Sequence, residues 1–349
     1  MGAEKKVKIG FLGCGFMGQL AHMQNYAQLN SCEIIAVSDL KLKQAEMTAA
    51  AYGIPRVYAD YADMLADPEI DAVVAAQNFS NHVNVVPDVL NAGKHLLTEK
   101  PLCVYPQNGK KLAELAAQNN VIHMVAYHKR SDPASEYMAG VIKKWNETGE
   151  AGNMRYVRVT MPPGDWTCAA DRPVSSGEAY PPFVHETPPD GMKDFPHEAY
   201  VSFVNYFIHQ VNYLRFVFGG DYTLEFADSS GVLLSVKSKG GVCGVIEMTP
   251  FTTAHDWQEQ ALVCYEKGWV RVDFPAPLAQ HRAGDATVYL NDSSGGVFTK
   301  PVLPNVSAMR NQAANFIKAV KGEIKPPCVS AEAVKDLQIA MDYIKMASK

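Results

Sequence analysis

From residue 7 to about residue 126 the chain alternates short apolar runs with amphipathic stretches. The runs Val7–Leu12, Glu33–Ser38, Ile70–Ala76, His95–Thr98 and Val121–Ala126 are rich in β-branched residues and bounded by Gly, Asp or Asn. That pattern predicts buried strands. Helical periodicity lies between them, near 17–29, 41–52, 82–92 and 106–119. Repeated β-α-β units require a parallel, doubly wound sheet with helices on both faces, an α/β fold.

The alternation stops around Ser131-Asp132-Pro133. A helix near 134–147 and a strand near Met154–Met161 follow, then about 40 residues from Pro162 to Tyr200 loaded with Pro, Gly, Asp and His. Loops that long are functional lids or disordered inserts. Trp166, Tyr180, Phe183 and Phe195 favour a packed lid, because disordered segments are poor in aromatics. A helix with an apolar stripe runs from about His197 to Phe218 and stops at Gly219-Gly220. Beyond it, Leu224–Ala227, Val232–Ser238, Val242–Met248, Gln260–Tyr265, Trp269–Phe274 and Thr287–Leu290 read as strands with hairpin turns. Helices near 308–321 and 330–347 end the sequence. The expected organisation is a first domain over 1–130 and a second over 131–349, an α+β domain built on a large, open, mostly antiparallel sheet.

Composition narrows the function. A hydrophobic fraction of 47% and a charged fraction of 20% are those of a soluble globular protein. With net charge −5 and no basic cluster, nucleic acid is excluded as an expected partner. Seven scattered cysteines without a CxxC pair fit neither a disulfide framework nor a zinc site, and suit a reducing compartment. Met1 to Lys6 lead into an apolar strand without a signal-peptide h-region, and no apolar run is long enough to span a bilayer. The expectation is a cytoplasmic protein with no membrane partner.

Gly13-Cys14-Gly15-Phe16-Met17-Gly18 fits G-x-G-x-x-G, and it follows a strand and opens a helix. The first glycine permits the tight turn, the second lets a pyrophosphate approach, and the third lets helix and strand pack. The helix N-terminus supplies N–H donors to the phosphates. Asp39 ends the second strand about 20 residues later, where a carboxylate binds ribose hydroxyls and repels a 2′-phosphate. The first domain therefore reads as a Rossmann domain for NAD, with NADP disfavoured. Lys41 and Lys43 pull the other way, since a cation there could neutralise a phosphate.

Lys100 stands just beyond the strand His95–Thr98, and carboxyl ends of strands face the ligand crevice of such sheets. Its surroundings, Ala92-Gly93-Lys94-His95-Leu96-Leu97-Thr98-Glu99-Lys100-Pro101, resemble the A-G-K-H…E-K-P signature of the Gfo/Idh/MocA family. That family takes its name from glucose–fructose oxidoreductase and inositol dehydrogenase. Ala76-Gln77-Asn78 with His82 resembles its T-P-N-x-x-H segment, with Gln77 in place of proline. Tyr127-His128-Lys129-Arg130 resembles Y-N-R-R, with His128 in place of Asn. Phe316 through Ala333 resembles its closing segment, whose helices return to the Rossmann domain. The family's D-x-x-x-H-x-x-D aligns with Asn205, His209 and Asn212, which share a helical face.

The resemblance implies a cofactor site that includes Asn78, His82, Glu99 and Lys100, and a substrate site that includes Tyr127, His128, Arg130, Asn205 and His209. It implies no metal and a homo-oligomer. The implied reaction is oxidation of a secondary ring hydroxyl of a sugar, cyclitol or glycoside by hydride transfer to NAD. His209 would accept the hydroxyl proton, and Lys100 would steady the developing alkoxide or serve as the base itself. Both acids beside His209 are Asn here, which removes the charge that would stabilise an imidazolium, while Asn212 can still orient the ring. Trp166, Tyr180 and Phe183 are candidate stacking surfaces for a sugar ring or an aglycone, with a purely structural or oligomer-contact role equally open. Two further readings remain open: redox-neutral processing through a transient keto intermediate on bound NAD, and a non-catalytic NAD-binding sensor. His185-Glu186 and His197-Glu198 lack metal-ligand spacing.

Overall fold

The computed structural model describes residues 5–254, 256–293 and 295–348. Met1 to Glu4, on which the reading of the N-terminus partly rests, lie outside them. The chain divides into two compact units. The first comprises Met1–Tyr127, Ala170–Lys193 and Gln312–Leu337, and the second His128–Ala169, Asp194–Asn311 and Gln338–Lys349. The second unit is therefore not one continuous stretch from 131 onward: a piece of the long loop and part of the last two helices belong to the first.

The first unit holds a six-stranded parallel sheet in the order β3-β2-β1-β4-β5-β6. Its strands are β1 (Val7–Leu12), β2 (Cys32–Ser38), β3 (Arg56–Tyr58), β4 (Ala72–Ala75), β5 (His95–Thr98) and β6 (His123–Val125). The order reverses at β1 and β4, the switch point at which ligands bind in open parallel sheets. Between the strands lie α1 (Gln24–Tyr26), preceded by a π-wound turn Gly18–Met23, then α2 (Leu42–Tyr52), α3 (Tyr61–Ala66), α4 (His82–Asn91) and α5 (Pro106–Gln118). Ile9 and Phe11 of β1, Val37 of β2, Val74 of β4 and Leu97 of β5 share a core with Phe316 and Ile317. Being buried on both faces over most of their length, these strands are largely apolar, which is why they stand out in the sequence. The short edge strand β3 and helix α3 carry no such run.

In the second unit, α6 (Pro133–Thr148) opens on Asp132, whose side chain accepts from Ala134 N, and closes on Gly149 at φ 69°. Eight strands make a sheet in the order β14-β13-β12-β11-β7-β10-β9-β8. They are β7 (Met154–Thr160), β8 (Tyr222–Ala227), β9 (Leu233–Ser238), β10 (Cys243–Glu247), β11 (Gln260–Tyr265), β12 (Gly268–Asp273), β13 (Asp285–Asp292) and β14 (Gly295–Thr299). The β7–β10 pair is parallel and the others antiparallel. Helices α6 and α7 (His197–Phe218) cover one face. The other face carries Trp269, Tyr289 and Phe298 side by side across β12, β13 and β14. Helix α7 ends at Gly219, φ 69°, the left-handed cap that glycine adopts without strain. Residues 161–196 form no helix or strand. Helices α8 (Ala308–Val320) and α9 (Ser330–Ala347) close the fold. Among the described residues no helix is long and apolar enough to cross a membrane.

Candidate active site

The glycine loop has the geometry its sequence requires. Gly13 sits at φ 92°, and a Cβ there would lie 2.7 Å from the Ala76 carbonyl oxygen. A Cβ on Gly18 would lie 2.5 Å from the carbonyl oxygen of Gly13, so only hydrogen lets the π-wound turn pack against the loop. Asp39, at the end of β2, is buried, and its Oδ2 accepts from Cys14 N at 2.8 Å while Oδ1 accepts from Lys41 N at 2.9 Å. One carboxylate thus fixes the glycine loop and the start of α2, besides any role toward a ribose. Phe16 is exposed and Met17 half-buried at the mouth of the turn. Three glycines without side chains, an adjacent helix start and a carboxylate at the second strand are the parts that hold a dinucleotide, and all are in register.

The middle of the long loop lies over this site. Gln19 Nε2 donates to Val174 O and Gln44 Nε2 to the same oxygen, each at 2.9 Å. In return, Val174 N donates to Gln19 Oε1 at 3.0 Å and Ser176 N to Gln44 Oε1 at 2.8 Å. Tyr180 reaches Gly15, with its hydroxyl 2.7 Å from where a Cβ on that glycine would stand. The Lys41 ammonium lies 3.7 Å from the Tyr180 ring centroid. Phe183 packs on His185, with ring centroids 4.3 Å apart. Tyr180 is therefore held on the dinucleotide loop itself, whereas Phe183 packs within its own loop. Further along, His185 Nδ1 bonds Ser80 Oγ at 2.7 Å. Glu186 is buried, and its carboxylate accepts from Val104 N at 2.7 Å, Tyr105 N at 2.9 Å and Asn108 Nδ2 at 3.0 Å. It binds the two residues that lead into α5 and Asn108 of its first turn, and a negative charge is favoured at a helix start. Burial nevertheless pushes its pKa up against these bonds.

Beyond β5, Glu99 is buried and bonds His22 Nε2 at 2.7 Å. Burial works against the Glu99 carboxylate, but the His22 hydrogen bond and charge, with Lys100 beside it, hold its pKa below the usual range. Lys100 is half-buried and precedes a cis peptide bond to Pro101. His82 is buried and donates from Nδ1 to Leu102 O at 2.9 Å, so it braces this turn, and burial lowers its pKa. Asn78 caps the turn Phe79–Asn81 through Ser80 N at 3.0 Å. Tyr127, after β6, is buried.

In the second unit, His128 to Ser131 form a buried 3-10 turn. The His128 and His209 rings meet edge to face, with centroids 4.6 Å apart. Asn205 is exposed, His209 half-buried and Asn212 buried, so the shared face of α7 runs inward from the surface. Arg130 Nε donates to Asn212 Oδ1 at 2.6 Å and Nη2 to Asn212 O at 3.2 Å, while the guanidinium lies 5.3 Å from the Phe216 ring. Arg130, expected at the substrate, is thus held inside the unit, and the Asn212 oxygen accepts from it. Next in sequence to the two histidines, Lys129 pairs with Glu259 at 2.7 Å and Gln210 Nε2 donates to the same carboxylate. Trp257 Nε1 completes it at 3.1 Å. A cleft beside His128 is lined by Lys129, Asp132, Phe274, Pro277 and Arg282. Trp166 is half-exposed, and its carbonyl accepts from Leu278 N at 3.2 Å.

Among the described residues no group of three or more His, Cys, Asp or Glu side chains is placed to hold a metal ion. Gln19, Gln44, His22, Glu186 and Glu259 have no motif to announce them. The only signal for the first two is position, in the turn and helix that follow the glycines.

Residues 7–127 match the family model described as an oxidoreductase family with an NAD-binding Rossmann fold. The chain is 22% identical over 344 residues to myo-inositol 2-dehydrogenase of Thermotoga maritima, covering 93% of this chain and 91% of that protein. It is 28% identical over 181 residues to levoglucosan dehydrogenase of Pseudarthrobacter phenanthrenivorans, covering 49% of this chain and 44% of that protein. For two of the first three curated relatives, the match spans less than two thirds of their length, 59% and 44%. A solved levoglucosan dehydrogenase in complex with NADH and levoglucosan superposes with a TM-score of 0.74 at 17% identity, over 99% of this chain and 98% of that one. At that identity the superposition speaks for the fold.

Proposed function

We propose that the chain, whose residues 7–127 match the oxidoreductase family model, is a Gfo/Idh/MocA-type NAD-dependent dehydrogenase of a sugar, cyclitol or glycoside. The observation that carries the reading is the intact glycine cradle together with Lys100 at the carboxyl end of β5, the end of a parallel sheet at which ligands bind. NAD supplies the hydride acceptor when bound. The backbone of Gly13 to Gly18 would hold its pyrophosphate, and Asp39 its ribose, which favours NAD over NADP.

The rest falls to the chain's own side chains. His209 takes the hydroxyl proton as general base, and Lys100 donates a hydrogen bond to the same oxygen as its charge grows. His128, edge-on to His209, is the neighbour through which a proton can be shared now that the flanking positions are Asn205 and Asn212. The relatives whose names mention inositol and levoglucosan support a polyhydroxylated ring as substrate. Incubation of the purified protein with NAD and a panel of inositols, aldoses and glycosides tests this. NADH formed with one class, and lost in Lys100→Ala and His209→Ala, is the expected result. A panel that yields altered sugar without NADH would favour redox-neutral chemistry at the same site.

We further propose a homo-oligomer formed through the sheet face that bears Trp269, Tyr289 and Phe298. Phe298 is 67% exposed and meets Trp269 edge-on and Tyr289 at a tilt in an aromatic strip, which a lone subunit would leave partly in water.

A further inference from the structure

We propose that Tyr180 is a plug: the segment Ala170–Lys193 closes the dinucleotide loop in the free protein, and NAD binds only by displacing it. The inference rests on the dinucleotide reading above and goes beyond it. In a G-x-G-x-x-G turn the second glycine is bare so that a pyrophosphate can come against the backbone. That place is taken here. The Tyr180 hydroxyl stands 2.7 Å from the position of a Cβ on Gly15, so phenol and pyrophosphate would compete for the same atoms.

The plug is seated by groups of the turn and helix that follow the dinucleotide loop. Gln19 and Gln44, each buried, turn their carboxamides outward to the backbone of the long loop and pair with Val174 O, Val174 N and Ser176 N. The same two Nε2 atoms also donate to Cys14 O, at 2.7 and 3.2 Å, inside the glycine motif. The loop is thus indexed to the motif by two side chains that grip both. Lys41 beneath the ring and Asp39 beside it are covered with it. Tyr180 itself is 57% exposed, so withdrawing it opens little apolar surface to water. Glu186, buried at the start of α5, anchors the far end and lets the near end lift alone.

Displacement makes affinity depend on the fraction of molecules with the plug out, and apparent affinity falls by that fraction. Removing the phenol therefore tightens binding. The test uses the full chain stripped of nucleotide, with NADH binding followed by fluorescence in wild type, Tyr180→Phe and Tyr180→Ala. Amide exchange at Val174 and Ser176 is measured with and without NADH. The expected result is NADH bound about tenfold more tightly and faster by Tyr180→Ala. NADH should also accelerate exchange of the two amides, because their glutamine partners are lost when the loop lifts. Weaker binding by Tyr180→Ala, with slower exchange when NADH is present, would overturn the plug and make the segment a lid that closes on the nucleotide. No binding by any of the three proteins would overturn the dinucleotide reading, and the plug with it.

Discussion

Lys129 Nζ lies 2.7 Å from Glu259 Oε2, and 4% and 0% of the two side chains remain exposed. The ion pair joins the turn that carries His128 to β11's approach and, through Gln210, to the helix that carries His209. Taking one member away leaves the other charge buried without compensation. Glu259→Gln is expected to destabilise the protein by about 3–5 kcal/mol, and adding Lys129→Met to it should cost less than the sum of the two single losses. Urea unfolding of Glu259→Gln, Lys129→Met and the double variant checks this. Additive losses in the double variant would contradict a coupled pair.

Asp132 gives a pH signature. Burial, opposed by hydrogen bonds from Ala134 and Gly284 N–H groups, pushes its pKa up to about 6. An unfolded aspartate titrates near about 3.9. The folded state therefore binds the proton more tightly, and the stability this contributes is full below about pH 4 and is lost as pH rises to about 6. At about 1.4 kcal/mol per unit, the loss is on the order of 3 kcal/mol. Asp132→Asn keeps a capping oxygen and removes the titration. The difference in unfolding free energy between it and wild type should change across that window and be flat above it. Parallel curves from pH 4 to pH 7 would show that Asp132 is not the group.

Gly18 and Gly140 make a matched pair. A Cβ on Gly18 meets the Gly13 carbonyl oxygen at 2.5 Å, whereas one on Gly140, inside α6, meets nothing within 4 Å. Gly18→Ala should cost about 1–3 kcal/mol through crowding and abolish measurable NADH binding. Gly140→Ala should stabilise by about 0.5–1 kcal/mol and leave binding intact. Thermal melts and NADH fluorescence titration of both variants decide it. Normal binding by Gly18→Ala would remove the glycine loop from the site.

Phe298→Glu places a charge in the exposed aromatic strip with Trp269 and Tyr289. Sedimentation velocity should show a smaller species than wild type with unchanged circular dichroism. An unchanged sedimentation coefficient would place the subunit contact elsewhere.

The strands and helices that the sequence reveals are those whose apolar pattern is uninterrupted. Val7–Leu12, His95–Thr98, His197–Phe218 and Ser330–Ala347 end where their residues say they end. Arg56–Tyr58 and Gly295–Thr299 pass unseen, because edge strands pair on one side and need no apolar run. The glycine motif is legible because its chemistry is local: each glycine answers to a neighbour within one turn of chain or one strand. The covering of that motif by Val174, Ser176 and Tyr180 is not, since sequence separations of 130 and 155 residues leave no local trace. The same holds for Glu259, whose charge reads as a surface residue until Lys129 and Gln210 are seen around it. Arg130 looks like a ligand group and Asn212 like a support for His209, and only the fold pairs them with each other.

NADH formation from NAD and a polyhydroxylated ring, measured side by side in wild type, Lys100→Ala and His209→Ala, bears most directly on the proposed dehydrogenase. Turnover by wild type with one substrate class, with a fall of at least about a hundredfold in each variant and NADH binding retained by His209→Ala, is the expected outcome. Turnover by wild type that survives in both variants would contradict the assigned chemistry.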